Sequence, residues 1–88
     1  MKYVILDFTK TRTVRQMHQR IGRSVALPAY YGNNLDALYD VLTTWPEETC
    51  FYVIPGKGLK AGGFLAVLQD AAETNRHIRV FSRKERNV

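Results

Sequence analysis

The chain has 88 residues, 45% of them hydrophobic and 24% charged. That balance excludes a disordered or low-complexity segment and allows one small domain with a single core. No apolar stretch is long enough to cross a bilayer, and thirteen Lys and Arg against eight Asp and Glu leave a formal net charge of +5.

The opening MKYVILDF carries one lysine, breaks at Asp7 and lacks a small-residue cleavage site, so it reads as a strand and not as a signal peptide. Tyr3-Val4-Ile5-Leu6 with Phe8 is nearly continuous in apolar character, which predicts a strand buried on both faces. Thr9 to Thr13 is a polar connection with Thr11 or Thr13 as a candidate N-cap. From there Val14, Met17, Ile21 and Val25 recur at three- and four-residue spacing and predict an amphipathic helix. Arg12, Arg15, Gln16, Gln19, Arg20 and Arg23 supply its outer surface, and Gly22 weakens its last turn by about 1 kcal/mol relative to Ala.

Pro28 and Gly32 punctuate the following loop, and Asn33 or Asn34 caps a second helix. That helix runs to about Thr44 and is stopped by Pro46. Leu38, Val41 and Leu42 form its core stripe, with Ala37 beside them and Leu35 at the start; Asp36, Tyr39, Asp40 and Thr43 fall on the opposite face. Thr49 to Ile54 is a second strand holding the lone cysteine, Cys50, which reads as a buried, inert thiol. Pro55, Gly56, Gly58, Gly62 and Gly63 bracket a loop with one short turn around Leu59. Phe64, Leu65, Val67, Leu68, Ala71 and Ala72 give a third helix, His77 to Phe81 an alternating strand at a sheet edge, and Arg83 to Val88 a polar tail that frays. The order strand, helix, helix, strand, helix, strand implies an α/β domain over residues 1–88, a small three-stranded parallel sheet packed with helices through right-handed crossovers.

The charge is unevenly placed. Residues 1–23 carry Lys2, Lys10, Arg12, Arg15, Arg20 and Arg23 against Asp7 alone. Residues 24–56 contain no Lys or Arg and hold Asp36, Asp40, Glu47 and Glu48, after which the chain turns basic again. Within the acidic segment, Asp36 and Asp40 lie one helical turn apart with Tyr39 between them. Like charges at that spacing cost a helix about 0.2–0.5 kcal/mol, so the fold alone has little reason to place them there and a cationic partner would explain them.

The run Leu27-Pro28, Tyr30-Tyr31-Gly32, Asn34-Leu35-Asp36-Ala37-Leu38, Asp40, Leu42-Thr43 and Trp45 resembles the barstar family, cytoplasmic protein inhibitors of secreted bacterial ribonucleases of the barnase type. The likeness is dense over these 19 residues and looser but collinear elsewhere: Met17-His18-Gln19 in the first helix, Val67-Leu68-Gln69 in the last and Ile78 in the final strand. It implies an inhibitory, immunity-type protein whose second helix and preceding loop plug a nuclease active site. By match to the family, Asp40 is the aspartate that sits among the phosphate-binding cations. Tyr30, Tyr31, Asn34, Leu35, Asp36, Thr43 and Trp45 take neighbouring contact positions, and Asp70 aligns with an outlying acidic contact. Tyr39 stands where the best-known member has tryptophan, and Thr44 replaces a glycine. The best-known inhibitor is acidic overall and this chain is basic, which weakens long-range steering toward a basic nuclease.

The resemblance implies a basic ribonuclease-like partner bound one to one, a monomer when free, no cofactor, no membrane and the cytoplasm as location. A missing signal and the absence of a cysteine pair point to the same compartment. Catalysis is not expected. The two carboxylates share one exposed helix face with no His near them in sequence, His18 and His77 lie on separate elements, and no triad order, phosphate loop or metal-ligand spacing occurs. Two alternatives stay open: a nucleic-acid module using the basic first helix with Arg76, Arg79, Arg83, Lys84 and Arg86, and a protein-interaction domain with a non-nuclease partner.

Overall fold

The structure is a computed structural model and describes residues 1–29, 31–32, 34–56 and 62–83. Tyr30, Asn33, the expected turn around Leu59 and the tail beyond Arg83 lie outside the described residues. The elements are β1 (Lys2–Asp7), α1 (Val14–Ser24), α2 (Leu35–Thr43), β2 (Thr49–Ile54), α3 (Gly62–Thr74) and β3 (Ile78–Ser82). The sheet is parallel throughout in the order β1-β2-β3, with Val4 beside Phe51 and Phe51 beside Val80. This is the α/β architecture that the order of strands and helices requires.

Helix starts are set by side chains that take up otherwise orphaned backbone amides. Thr13 caps α1 in a full capping box, its hydroxyl accepting from the Gln16 amide while the Gln16 side chain accepts from the Thr13 amide. Asn34 caps α2, its side-chain oxygen accepting from the Ala37 amide at 2.8 Å. Gly22 does not cut α1 short, because Ile21 and Val25 on either side of it are both buried.

The core lies between one face of the sheet and the helices. Val4, Leu6 and Phe8 meet Phe51, Val53 and Ile78 from the sheet side, and Met17, Ile21, Leu38, Leu42, Phe64, Leu68 and Ala71 from the helices. Two close approaches depend on glycine. A Cβ on Gly56 would stand 2.2 Å from the Phe8 carbonyl oxygen, and one on Gly63 would stand 3.3 Å from Leu35 Cδ1, where α3 packs on α2.

Three expectations need correction. β1 is buried on one face only: Tyr3 and Ile5 are 76% and 62% exposed. The continuous apolar run reflects an open outer sheet face that is itself apolar, and not helices on both sides. In α1, Val14 is exposed while His18 is buried. The same three- and four-residue spacing that selects Ile21 and Val25 also passes through His18. Finally, Tyr39 is half-buried against the core, because α3 flanks α2 and widens its buried arc beyond one stripe. Cys50 is buried as expected.

Candidate functional site

Helix α2 presents Asp36 and Asp40 to solvent one turn apart, and neither carboxylate hydrogen-bonds or ion-pairs with another described residue. Asp36 lies in the first turn, where the helix dipole favours a negative charge; Asp40 lies in the last turn, where it does not. The one histidine–carboxylate contact of salt-bridge length among the described residues, His77 Nδ1 with Glu48 at 3.1 Å, lies elsewhere, between the residues that precede β3 and β2. Thr43 sits one position past the core residue Leu42, its hydroxyl donating to the Asp40 carbonyl at 3.0 Å. The Thr44 hydroxyl reaches the same carbonyl at 3.2 Å, so two side chains tie off the exposed end of α2.

Around this acidic face, several aromatic positions are held by internal bonds. The Thr74 hydroxyl donates to the Asp70 carbonyl, which makes the Tyr39 hydroxyl the donor in its 3.2 Å contact with Thr74. Tyr39 thereby spans from α2 to α3, where Asp70 is exposed on the neighbouring helix. Trp45 is half-buried: its indole N–H donates to Thr49 Oγ1 at 3.0 Å and its ring meets Phe51 edge-on with centroids 6.3 Å apart. With Pro28, Val41, Thr44 and Pro46 it lines a groove of about 280 Å³ beside the helix, to which Lys2 and Glu47 also contribute. Leu35 is half-buried where α2 meets Phe64 and its helix, and Asn34 spends its side chain on the cap and on the Gly32 carbonyl.

Tyr31 fixes the loop that delivers α2. Its hydroxyl shares a short hydrogen bond with His18 Nδ1, and burial pushes the phenol up to about 12. His18 is 1% exposed, packs on Phe64 with ring centroids 4.7 Å apart, and its Nε2 has no partner among the described residues. Removal from water holds the imidazole below its ordinary pKa and so favours the neutral ring. Asn75 performs the equivalent task at the other end of α2: its amide donates to the Leu42 and Trp45 carbonyls at 2.9 and 3.0 Å, while its oxygen accepts from the His77 amide.

The structure therefore brings Asp36, Asp40, Thr43 and Tyr39 together on or beside one helix, with Asp70 across on α3. It places Trp45 at the groove and Tyr31 beneath the loop, and Tyr30 lies outside the described residues. His18 and Asn75 position the helix, a role that the sequence reading does not assign to either. The stripe spacing marks His18, whereas nothing local marks Asn75, whose partners lie 30 and 33 residues away.

A parallel three-stranded sheet, helices on one side and an exposed acidic helix face define a small α/β domain. Among the described residues no cluster of three or more His, Cys, Asp or Glu is placed to hold a metal, and no helix is long and apolar enough to cross a membrane. The profile of the family described as Barstar (barnase inhibitor) matches residues 1–83, and the chain belongs to that family. A protein of Bacillus subtilis (strain 168) named "Putative ribonuclease inhibitor YrdF" is 31% identical over 80 residues, covering 83% of this chain and 88% of the relative.

Proposed function

We propose that this protein is a non-catalytic inhibitor of a barnase-type ribonuclease, in which α2 enters the nuclease active site and Asp40 takes the place of a substrate phosphate. The observation that carries the reading is the pair Asp36 and Asp40, exposed on α2 without a cationic partner, in a chain of the barstar family. A carboxylate aligned with phosphate-binding cations satisfies their charge while the helix excludes RNA. Asp36 supplies a second negative charge, Tyr30, Tyr31, Tyr39 and Trp45 the apolar body, and Asn34, Leu35, Thr43 and Asp70 the surrounding contacts. Tyr and Trp suit that role because they combine large apolar area with a polar group.

The complex is one to one, needs no cofactor and forms in the bacterial cytoplasm, where the inhibitor protects its own cell from the toxin. The net charge of +5 works against steering by a basic nuclease, so association is slower than for an acidic inhibitor while the local patch retains complementarity. Capture of the partner from native cells on immobilised protein, followed by assay of the captured fraction for ribonuclease activity, tests this directly. Recovery of a basic ribonuclease that the wild-type chain retains and Asp40→Ala does not supports it; recovery of a partner without nuclease activity overturns it.

A second reading rests on a polar cleft of about 210 Å³ beside β1, lined by Lys10, Thr11, Gln16, Gln19, Arg20 and Arg23. Three cations around one cleft suit a nucleic-acid phosphate. Arg79 and Arg83 lie on or just past β3, the opposite edge of the sheet from β1, so they do not extend this cleft into one patch. This reading requires affinity for RNA at 20 mM salt that falls steeply by 200 mM and is lost in Arg20→Ala.

A further inference from the structure

Among the described residues, the sheet face turned away from the helices is apolar and has no element covering it. The register lays it out in rows across β1, β2 and β3: Tyr3 with Cys50 and Arg79, then Ile5 with Tyr52 and Phe81. One row further on, Asp7 pairs with Ile54, and the Arg83 amide continues the β3 ladder by donating to the Val53 carbonyl at 3.0 Å. Tyr3, Ile5, Tyr52 and Phe81 are 76%, 62%, 41% and 56% exposed. At about 200 Å² for a fully exposed aromatic side chain, the three rings alone leave roughly 350 Å² in water. With Ile5 added, the patch is of the size of the largest apolar patch on a typical monomer, which is often functional.

We propose that this face pairs with the same face of a second copy, about a two-fold axis parallel to the strands. The arrangement of charge selects both the occupant and the axis. Such an axis lays β1 of one copy over β3 of the other, row for row. Asp7 then meets Arg83, Tyr3 meets Arg79, Ile5 meets Phe81, and Tyr52 meets its own counterpart. Every non-identical pairing in these rows is opposite in charge, cation on aromatic ring, or apolar on apolar. The other in-plane two-fold axis, across the strands through the Ile5–Tyr52–Phe81 row, sets Arg83 of one copy against Arg79 of the other and leaves Asp7 facing Tyr3, so like charges meet and the carboxylate has no cation.

Asp7 is well suited as the anion. The Thr9 hydroxyl and amide donate to one of its carboxylate oxygens at 2.6 and 2.9 Å, which leaves the other oxygen available. Those bonds also hold its carboxyl below the usual carboxylate range. Two such faces stack as in an aligned β-sandwich, about 10 Å apart with mean strand directions within about 30°. The apolar centre with its Arg79 and Arg83 rim stays below the about 800 Å² per partner of a standard interface, so the pairing is weak and reversible, in the micromolar range. The helices cover the opposite face of the sheet, so α2 remains free in each copy and the stoichiometry of one nuclease per chain is unaffected. The dimer departs from the free monomer that the family resemblance implies, and it does not rest on the inhibitory reading.

Sedimentation of the full chain between about 1 and 500 μM at low salt tests the pairing. The wild type is expected to pass from monomer to dimer across that range. Ile5→Lys and Phe81→Lys, both at exposed positions that leave the core intact, are expected to stay monomeric with unchanged circular dichroism. Asp7→Arg and Arg83→Asp are each expected to weaken association at least tenfold, and the double exchange to restore it to within about threefold. A wild type that stays monomeric throughout overturns the proposal, whether residues 84–88 or another protein covers the face. So does a dimer indifferent to Ile5→Lys and Phe81→Lys, or a double exchange no better than its singles. Loss of the dimer leaves nuclease binding untouched, and loss of nuclease binding in Asp40→Ala leaves the dimer untouched.

Discussion

Replacing Tyr31 with Phe removes one hydroxyl and strands one imidazole. His18 is 1% exposed, its Nε2 already lacks a partner among the described residues, and its Nδ1 has the Tyr31 hydroxyl alone. In Tyr31→Phe a buried ring therefore has neither nitrogen bonded, and the desolvation of the newly orphaned group costs about 1–3 kcal/mol. For a domain of this size about 2 kcal/mol corresponds to a fall in Tm of about 8–16 °C. Replacing both partners by apolar groups, as in His18→Leu with Tyr31→Phe, recovers most of that loss, because no polar atom remains to be satisfied. The sign with pH follows from the burial of His18. Burial holds its folded pKa below the ordinary value for an imidazole, so the unfolded chain binds the proton more readily. The stabilising contribution is complete above the unfolded pKa and is lost as pH falls from there through the folded pKa. Urea unfolding followed by circular dichroism at pH 7.5 and pH 5.0 measures both effects. The wild type is expected to be less stable at pH 5.0, with the difference reduced in His18→Leu. A Tyr31→Phe protein within 0.5 kcal/mol of wild type (a bound set by about half the smallest expected desolvation cost) would refute the reasoning.

Other consequences concern the second helix and its neighbours. Asp40→Asn relieves the repulsion from Asp36, about 0.2–0.5 kcal/mol, and an unfavourable charge in the last turn of α2, about 0.3–1 kcal/mol. The free domain is therefore expected to gain stability in thermal melts, while Asp36→Asn, which also gives up a favourable charge in the first turn, is expected to gain none. Asn75→Ala removes two hydrogen bonds that join the end of α2 to the α3–β3 turn and a third within that turn, and is expected to cost about 3 kcal/mol in chemical denaturation. Gly56→Ala drives a Cβ into the Phe8 carbonyl oxygen and is expected to cost about 3 kcal/mol or more, read as loss of folded protein at 37 °C.

What the residues disclosed about the fold was whatever short-range periodicity controls. The core stripe of α2 through Leu38 and Leu42, the Asn34 cap and the parallel order of strands all follow from spacing and from helix–strand alternation. Sequence pattern and structure part where a neighbour decides. β1 reads as a two-face strand because Tyr3 and Ile5 are as apolar as Val4 and Leu6, and only the handedness of the crossovers leaves one face bare. Tyr39 reads as outward by phase, but α3 lies on that flank. His18 occupies a core position in a residue type that composition scores as polar, and its acceptor or donor, Tyr31, comes from a loop thirteen residues on. The acidic pair was legible because its oddity is local: two like charges one turn apart need no tertiary information to be noticed. Which side chains brace that pair is a matter of long-range bonds, Tyr39 to Thr74 and Asn75 to the Leu42 carbonyl, neither of which has a signature in sequence.

The central claim is that the acidic face of α2 stops a ribonuclease by occupying its phosphate-binding cations. Titrating barnase with this protein while following cleavage of RNA tests it most directly, with Asp40→Ala and Glu85→Ala run alongside. The account predicts inhibition that saturates at one chain per enzyme, a weakening of about 30-fold or more for Asp40→Ala, and no change for Glu85→Ala. That figure corresponds to the lower end of the about 2–5 kcal/mol lost on truncating one member of a buried charge pair, a range drawn in part from barnase–barstar itself and so carried over from the family. Barnase that cleaves at full rate in the presence of excess wild-type chain, or inhibition that Asp40→Ala and Glu85→Ala leave equally intact, would contradict it.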